Sequence, residues 1–391
     1  MLEKENQEKR SNIIVGVAFA LFVCIISYRL TNASLWFDET IEYWYSKTLS
    51  GMTPDHENSW NMYERIVSTY QPPLYNFVMF FWLKISESEW WMRFFGVFMG
   101  TIGAFGTFKT LKESSFSNKE AAVAIILYGL IYRQTYYWQE VAEYSLMLGL
   151  LPWCIYYLIK VVINPQRKSI LLMTLFCILA VYSQYGAGFA IASILVLGII
   201  RILVFKDRKT TLFTIRLYAA STIFTAAPLY FLFLKKQISN QGSTFAGFVS
   251  FDVKAFVFNS LSVLKYNLTE GLSKNGTIYL YIFCSILILF AFFYLFKGKK
   301  LFVKYLIIGN VICYCMYYCA VLLRIYAYGN FANKYNIFLI PFWFISGMIL
   351  IDEGLSMFYS MKIPSQLEKL PYIANGIIIV VLVCWGWCNW T

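Results

Sequence analysis

The chain has 391 residues, of which 59% are hydrophobic, 20% aromatic and only 14% charged, with a mean hydropathy of +0.58. Soluble globular proteins carry about 25% charged residues, so this composition excludes a soluble domain, and the uncharged runs of spanning length indicate a multi-pass membrane protein. Lys and Arg outnumber Asp and Glu by 33 to 21. These cations lie at the joints between apolar runs, which favours a role in membrane topology over nucleic-acid binding.

The apolar runs predict an all-α polytopic bundle of about eleven transmembrane helices, in a single domain covering residues 1–391. The predicted spans lie near residues 13–30, 91–109, 121–138, 145–163, 169–184, 187–205, 212–234, 277–296, 301–323, 336–351 and 372–390. We expect the first run to remain as a helix, because no signal-peptidase pattern follows it. Residues 73–84 are too short to cross, and Pro72-Pro73 opens them, so we expect a helix that lies at the membrane face.

The charges at the joints predict the orientation of the chain. Alternate joints are rich in Lys and Arg, whereas the short joints near 139–144 and 185–186 contain neither. Because Lys and Arg concentrate in cytoplasmic loops, we predict a plasma-membrane protein with a cytoplasmic N-terminus. The long loops 31–90 and 235–276 then face the extracytoplasmic side, and the first is expected to carry interfacial helices.

Cysteine and histidine give no sign of a metal site. The nine cysteines lie inside apolar runs without Cys-x-x-Cys spacing, so we interpret them as small buried hydrophobic residues. The single histidine, His56, excludes a site with several histidine ligands.

Two groups of carboxylates border the predicted spans on the outer side. Asp38-Glu39 follows the first span, and Glu140 follows the third crossing. Because an ionised group costs roughly 2.5–3.5 kcal/mol at membrane depth, these carboxylates indicate either a shared cavity or ordinary interfacial charges that stabilise helix N-termini. In a shared cavity, one carboxylate is suited to take the proton of an acceptor hydroxyl during sugar transfer.

Cations would be needed if the donor is a lipid-phosphate sugar. Its phosphate leaving group is weakly basic, so its developing charge requires electrostatic stabilisation rather than a general acid. Arg324 and Lys334 border a short outer segment and are the first candidates, with Lys235 and Lys236 as others. The alternative is that Arg324 and Lys334 are snorkelling interface anchors.

Aromatic residues are dense on the outer side, and a membrane-interface belt accounts for most of them. Three that lie inside the polar first loop are candidates for stacking on a sugar ring: Trp60, Tyr63 and Tyr70.

Several ordered motifs resemble the GT-C superfamily of membrane glycosyltransferases, in particular the bacterial branch that contains the protein O-mannosyltransferases and aminoarabinose transferases. Asp38-Glu39 corresponds to the family's Asp-Glu, residues 71–75 to His-Pro-Pro-Leu-Tyr, and residues 88–93 to the segment that leads into the second crossing. Residues 139–145 correspond to Gln-Glu-Ala-Arg-x-Tyr, and residues 182–186 to Tyr-Thr-His-Tyr-x-Gly. Late in the chain, Lys334-Tyr335 and Leu339-Ile340-Pro341 resemble Arg-Tyr and Leu-x-Pro. Their order and spacing over residues 30–190 carry the resemblance, which is thin beyond residue 200.

The resemblance implies a polyprenyl- or dolichyl-phosphate sugar donor, transfer on the outer face and inversion at the anomeric carbon. It makes Asp38 the candidate base, with Glu39 beside it and Glu140 as the second carboxylate, and Lys334 the cation at the phosphate. The residues that it implies for substrate binding are Gln71, Tyr75, Tyr144, Gln184, Tyr185, Lys334 and Tyr335. We add Arg324 because it borders the same short outer segment as Lys334. The expected acceptor is a cell-surface glycan, a lipid or another hydroxyl compound.

The chain also departs from the family pattern. Gln71 and Gln184 stand where the family has histidines, and Ala142 stands where an arginine is common. Some relatives use a divalent metal at the outer carboxylates. Without the histidines, only an oxygen-ligand site for Mg²⁺ or Mn²⁺ stays open, and we assign no metal ligand.

Two other functions stay open. A polysaccharide polymerase or ligase for lipid-linked sugars also has a large outer loop, but such proteins usually have a site based on Arg and His. A transporter or lipid flippase often has broken helices or charges near the bilayer midplane. Here the ionisable residues crowd the outer rim, and the halves of the chain show no convincing repeat.

Overall fold

A computed structural model gives the chain as a bundle of helices. It describes residues 2–31, 34–48, 62–69, 71–240, 274–323, 325–326 and 334–360, and these ranges contain helices and turns without β-strands. The helices are α1 (Leu2–Ser27), α2 (Phe37–Thr48), α3 (Met62–Ser68), α4 (Leu74–Leu83), α5 (Glu89–Glu113), α6 (Asn118–Gly129), α7 (Tyr132–Gln139), α8 (Tyr144–Ile163), α9 (Arg167–Ser183), α10 (Ala187–Phe205), α11 (Arg208–Ser221), α12 (Lys274–Lys297), α13 (Leu301–Leu322) and α14 (Leu339–Ser360).

Eight helices in the described ranges are long and apolar enough to cross a membrane. The chain is therefore a multi-pass membrane protein, as its composition predicts. The total of about eleven crossings stays a prediction, because residues 372–390 lie outside the described part and α9 has only 17 residues. The helix expected at residues 73–84 is α4, with 10 residues.

The predicted span 121–138 is broken into α6 and α7. The hydroxyl of Thr135 donates to the carbonyl oxygen of Gly129 (2.7 Å), and the side-chain amide of Gln134 donates to that of Tyr128 (3.3 Å). These bonds satisfy carbonyl groups that have no intrahelical partner at the end of α6. These polar side chains thus stabilise the break between α6 and α7. As a result, Glu140 follows the end of α7 at the end of the bundle.

Glycines on α5 allow α7 and α8 to approach closely. A Cβ atom at Gly96 would overlap the carbonyl oxygen of Trp138, and one at Gly100 would lie 2.9 Å from the indole ring of the same residue. At Gly103 a Cβ atom would lie 2.9 Å from the carbonyl oxygen of Leu148 on α8. Trp138 is fully buried, so these glycines fix the position of the turn that follows it.

Gln139 ties this turn to the first helix. Its side-chain amide donates to the carbonyl oxygens of Ile26 (2.9 Å) and Tyr28 (2.8 Å) at the end of α1. The ends of α1 and α7 are thereby held together, next to the starts of α2 and α8.

The helix that starts with α11 continues to Asn240 as one span of 33 residues. It is π-wound at Thr222–Ala226 and Leu229–Leu234, on either side of Pro228, which has no backbone N–H to donate. Two tyrosine hydroxyls donate to carbonyl oxygens in these wide turns, Tyr182 to Thr225 (2.7 Å) and Tyr63 to Leu232 (2.8 Å). π-Wound turns are frequent at functional sites.

We predict that Gly96→Ala destabilises the protein, because the new methyl group meets the backbone of Trp138 rather than a movable side chain. Overpacking of this kind costs about 1–3 kcal/mol, which should lower the melting temperature measured by tryptophan fluorescence in detergent. Gly16→Ala on α1 is the matched control, since a Cβ atom there has nothing within 4 Å. Equal melting temperatures for the two variants would show that α5 and α7 are not packed in this way.

Candidate active site

A cavity of about 550 Å³ opens at the end of the bundle where α1 and α7 end and α2 and α8 begin. Its wall comes from α2, the turn before α8 and the end of the Arg208–Asn240 span. It is completed by Ser68, Thr69, Gln71, Pro72, Gln184, Tyr185, Phe189, Ile325, Tyr326, Lys334 and Tyr335. The tertiary structure thus brings together stretches that are far apart in sequence.

Most of the predicted site residues line this cavity: Asp38, Gln71, Glu140, Tyr144, Gln184, Tyr185, Lys334 and Tyr335. Glu39 and Tyr75 are not in its wall. Tyr75 is 1% exposed and packs against the ring of Phe95 (centroid distance 5.9 Å), so its expected role in substrate binding does not agree with its position. Arg324 lies outside the described residues.

Among the three aromatic candidates for stacking on a sugar ring, the structure describes Tyr63. Tyr63 packs under the ammonium group of Lys236, 4.9 Å from the ring centroid, and neither residue lines the cavity. Trp60 and Tyr70 lie outside the described residues. The contacts of Tyr63 are those of a side chain that joins α3 to the long π-wound span.

An ion pair between Asp38 and Lys334 lies in the wall of the cavity. The ammonium nitrogen lies 3.0 Å from a carboxylate oxygen, and the side chains of Asp38 and Lys334 are 38% and 31% exposed, respectively. Burial lowers the pKa of Lys334, but the neighbouring Tyr335 and the hydrogen bond to Asp38 outweigh this effect, and its pKa is raised. The cavity therefore presents an ionised lysine beside a carboxylate that is open to solvent.

Glu39, the neighbour of Asp38, forms a buried salt bridge instead. Arg93 of α5 donates from Nε to one carboxylate oxygen (3.1 Å) and from Nη2 to the other (2.7 Å). The backbone N–H groups of Trp36 and Val141 also donate to this carboxylate (3.2 and 2.9 Å). With 2% exposure and both oxygens engaged, Glu39 is placed to hold the site together rather than to touch a substrate.

The guanidinium of Arg93 makes further bonds that fix the chain before α2. It donates to the carbonyl oxygens of Leu30 (3.0 Å) and Ser34 (3.3 Å). One buried ion pair therefore connects the end of α1, the start of α2, α5 and the turn before α8. This connection sets where Asp38 and Glu140 lie.

Glu140 is almost fully buried in the cavity wall, with 6% exposure. Burial raises its pKa to about 8, the charge of Glu39 adds to the shift, and Lys334 opposes it. One carboxyl oxygen has no hydrogen-bond partner among the described residues. At neutral pH this group holds its proton, so it is suited to donate a hydrogen bond to a ligand oxygen.

Glu42 and Glu143 were not predicted as site residues, yet both line the cavity. The amide of Asn76 donates to Glu42 (3.0 Å), and the amide of Gln71 donates to Glu143 (3.0 Å). Burial raises the pKa of both carboxyls, and the charge of Glu42 raises that of Glu143 further. The four-residue spacing of Asp38 and Glu42 on α2 was a signal, because it places both on one helix face.

Gln71 and Gln184, which stand where the family has histidines, act here as fixed hydrogen-bonding groups. The side-chain oxygen of Gln184 accepts from the first backbone N–H of α10, that of Ala187 (3.2 Å). Between Gln184 and α10, Gly186 leaves room for the hydroxyl of Tyr326, which a Cβ atom would overlap.

Gln237 is a further site residue that the sequence did not indicate. It accepts from the hydroxyl of Tyr185 (2.7 Å) and donates to the carbonyl oxygens of Ile66 (2.7 Å) and Gln71 (2.8 Å). It is fully buried and links the π-wound span to the cavity wall. A glutamine in the polar segment after Lys235-Lys236 gives no sequence signal of such a role.

Within the described ranges, no group of three or more His, Cys, Asp or Glu side chains is arranged to hold a metal ion. Among the cavity carboxylates, Asp38 pairs with Lys334, and Glu42 and Glu143 accept from side-chain amides. A Mg²⁺ or Mn²⁺ site at the outer carboxylates stays a prediction.

The helices long and apolar enough to span a membrane, together with an acidic cavity at one end of the bundle, define a multi-pass membrane protein with a polar site. Residues 70–232 match the family of dolichyl-phosphate-mannose-protein mannosyltransferases, which is of the GT-C type. The match confirms the resemblance drawn from the sequence motifs. The family implies a membrane glycosyltransferase that uses a lipid-linked sugar. No curated protein matches the chain.

The matched segment contains only part of the cavity wall. It includes Gln71, Glu140, Gln184 and Tyr185 but neither Asp38 nor the late segment that carries Lys334. In the folded protein, Asp38 and Lys334 pair with each other and line the same cavity as these residues of the matched segment.

We predict that Arg93→Met strongly destabilises the protein, because it leaves Glu39 buried and unpaired. Breaking one partner of a buried ion pair costs about 3–5 kcal/mol, which should appear as a large loss of melting temperature in detergent. Lys47→Met is the control, since Lys47 pairs with Glu87 at a solvent-exposed position (2.6 Å) and its loss should have little effect. Similar melting temperatures for the two variants would contradict the structural role of Arg93.

We also predict that Glu140 makes the free energy of unfolding depend on pH. Its pKa is raised from 4.5 to about 8 in the folded protein, so the folded state binds more protons than the unfolded state between these values. Stability should therefore fall as pH rises through this window, by at most about 1.4 kcal/mol per pH unit from this group. Glu140→Gln removes this contribution, so its melting temperature should fall less than that of the wild type between pH 5 and 9. Parallel curves for the two proteins would contradict the raised pKa.

Proposed function

We propose that the protein transfers a sugar from a polyprenyl-phosphate donor to a hydroxyl acceptor on the extracytoplasmic face of the membrane. The observation that carries this proposal is that a carboxylate exposed to solvent pairs with a cation in one cavity. The cavity belongs to a membrane protein whose residues 70–232 match a glycosyltransferase family. Asp38 and Lys334 supply this pair, and the family match supplies the class of reaction.

The orientation of the cavity is supported by the distribution of cations. The site lies at the end of the bundle opposite the joints that hold Lys112 and Lys119, Arg167 and Lys168, and Lys299 and Lys300. Lys- and Arg-rich joints are typical of the cytoplasmic side. The cavity accordingly faces outward in a plasma membrane, and the N-terminus lies in the cytoplasm.

Asp38 is the base in this proposal. The acceptor hydroxyl oxygen attacks the anomeric carbon as the bond between that carbon and the phosphate oxygen breaks. The hydroxyl proton passes to the carboxylate of Asp38, and the phosphate leaves with the bonding electron pair. A single displacement of this kind inverts the anomeric centre. The 38% exposure of the Asp38 side chain is consistent with access of an acceptor from the aqueous side.

Lys334 stabilises the leaving phosphate. Its ammonium group is held 3.0 Å from Asp38 in the cavity wall, and in this proposal the leaving phosphate lies beside it. A fixed positive charge at this place lowers the energy of the transition state, because the surrounding site is already arranged before the reaction. No step is assigned to a metal ion.

Glu140 and Glu143 complete the sugar-binding surface. Protonated at neutral pH, Glu140 donates a hydrogen bond to an oxygen of the donor. Glu143 is held by Gln71, which fixes its orientation. Glu39 acts as a positioning residue through Arg93.

We predict that Asp38→Asn abolishes sugar transfer. In cells that lack the gene, a lipid-phosphate sugar should accumulate while one surface glycan or lipid loses a substituent, as measured by mass spectrometry of both fractions. The wild-type gene should reverse both changes. Asp38→Asn should not, because loss of a general base lowers the rate by about 10²–10⁴-fold.

Glu87→Gln is the matched control, since Glu87 is a carboxylate that faces solvent outside the cavity. It should restore the substituent fully, at equal protein level in the membrane. Full restoration by Asp38→Asn would remove Asp38 from the role of base. If deletion of the gene changes neither the lipid-linked sugars nor any glycan or lipid, the transferase function itself is wrong.

A further inference from the structure

Tyr326 connects the segment that carries Lys334 to the rest of the cavity wall. Its hydroxyl donates to the backbone carbonyl oxygen of Tyr335 (2.9 Å), the residue that follows Lys334. Residues 334–336 form a short 3₁₀ turn just before α14. The turn that carries Lys334 is therefore held by Tyr326 as well as by α14.

The ring of Tyr326 is fixed by its own neighbours. It follows the end of α13, and it packs edge-on against the rings of Phe189 on α10 (centroid distance 4.9 Å) and Tyr317 on α13 (6.0 Å). The backbone N–H of Ile325 donates to the carbonyl oxygen of Ala320 (2.8 Å). Because two helices and the adjoining backbone hold this ring, its hydroxyl has a defined position.

The hydroxyl occupies a notch that Gly186 leaves open. A Cβ atom at Gly186 would overlap the hydroxyl of Tyr326, and it would lie 2.6 Å from the side-chain oxygen of Gln184 and 3.0 Å from the carbonyl oxygen of Tyr335. Three oxygen atoms from different parts of the chain thus meet around a residue without a side chain. Gly186 has φ −60° and ψ −28°, so the glycine is required for space rather than for an unusual backbone conformation.

Lys334 needs such support if it is to act on a leaving phosphate. A lysine ammonium is a compact charge on a flexible four-carbon stem, and an ion pair between partly exposed side chains, such as that with Asp38, holds it only weakly. A misplacement of about 1 Å can lower the rate of a reaction by about 100-fold. A fixed backbone next to Lys334 is therefore as important as the ion pair itself.

We propose that Tyr326 is a positioning residue that acts through Lys334. Its hydroxyl, seated in the Gly186 notch, holds the backbone at Tyr335 and keeps the ammonium of Lys334 beside Asp38. Tyr326 lines the cavity, but it is assigned no contact with the reacting atoms. This inference rests on the proposed function, because the cation that it positions is the one that stabilises the phosphate there.

Tyr326→Phe is the direct test, because it removes the hydroxyl and keeps the ring. Transfer is measured with the full-length protein in phosphatidylglycerol vesicles. The donor is the lipid-phosphate sugar that accumulates in cells lacking the gene, and the acceptor is the glycan or lipid fraction of those cells. The kcat should fall by about five- to tenfold, the factor expected for one lost hydrogen bond. The KM for the donor should change by less than about twofold, because the charge that Lys334 stabilises develops in the transition state.

Tyr182→Phe is the matched control. The hydroxyl of Tyr182 also donates to a backbone carbonyl oxygen, that of Thr225 (2.7 Å), and Tyr182 does not line the cavity. The two variants should have similar melting temperatures, since each loses one hydrogen bond, but Tyr182→Phe should keep its kcat within about twofold of the wild type. Equal losses of kcat in the two variants would overturn the inference.

Lys334→Met tests whether the effect of Tyr326 passes through the lysine. In this background, Tyr326→Phe should lower the residual kcat by less than about twofold, because residues that act through one group have non-additive effects. Gly186→Ala should resemble Tyr326→Phe, since its methyl group displaces the hydroxyl, and it should add little to that variant. If Tyr326→Phe lowers kcat by the same factor with and without the ammonium of Lys334, the inference is wrong.

Acylation of Lys334 reports its position without any sugar transfer. An N-hydroxysuccinimide ester reacts with the neutral amine, and mass spectrometry of peptides gives the rate at this residue. Tyr326→Phe should raise the rate by about threefold or more, which corresponds to a fall of about 0.5 in the pKa of Lys334 as the ion pair with Asp38 loosens. Tyr182→Phe should leave the rate unchanged. Equal rates in the two variants would contradict the positioning of Lys334 by Tyr326.

The two proposals can fail separately. A wild-type protein that transfers no sugar would overturn the proposed function, and the acylation rates would still decide whether Tyr326 positions Lys334. Sugar transfer by the wild type, with Tyr326→Phe and Tyr182→Phe alike in both assays, would leave the proposed function standing and the inference wrong.

Discussion

The buried ion pair between Glu39 and Arg93 is the interaction on which the site depends. Carboxylates and cations are costly inside a membrane protein, and this pair is retained with its remaining oxygens and N–H groups satisfied by backbone partners. It connects the end of α1, the start of α2, α5 and the turn before α8. Without this connection, nothing in the local sequence would hold Asp38 beside residues that lie far away in the chain.

The carboxylates around this pair differ in their exposure to solvent and in their bonding partners. Asp38 is open to solvent and paired with Lys334, whereas burial raises the pKa of Glu140 to about 8. Glu140 therefore retains its proton at neutral pH.

Irregular helix geometry at this end of the bundle serves the site. The predicted third span is interrupted after Gly129, and the polar side chains of Gln134 and Thr135 satisfy the carbonyl groups at the break. The span that begins at Arg208 is π-wound around Pro228 and carries Gln237 to the cavity wall. Departures from regular α-helix are tolerated at membrane depth only where other groups satisfy the freed backbone, and tyrosine hydroxyls and side-chain amides do so here.

The sequence by itself determined the membrane class, the positions of most of the long apolar helices in the described ranges, and the family resemblance, because hydropathy, charge at the joints and short motifs are local properties. It did not locate α2 and α3 or the break between α6 and α7. It also singled out Asp38, Glu140 and Lys334. Only the tertiary structure decided that Glu39 is a buried partner of Arg93, that Tyr75 belongs to the core, and that Glu42, Glu143 and Gln237 line or support the cavity. Whether a carboxylate can contact a substrate or forms a salt bridge with a neighbour depends on contacts between residues distant in sequence. Local sequence patterns do not predict those contacts.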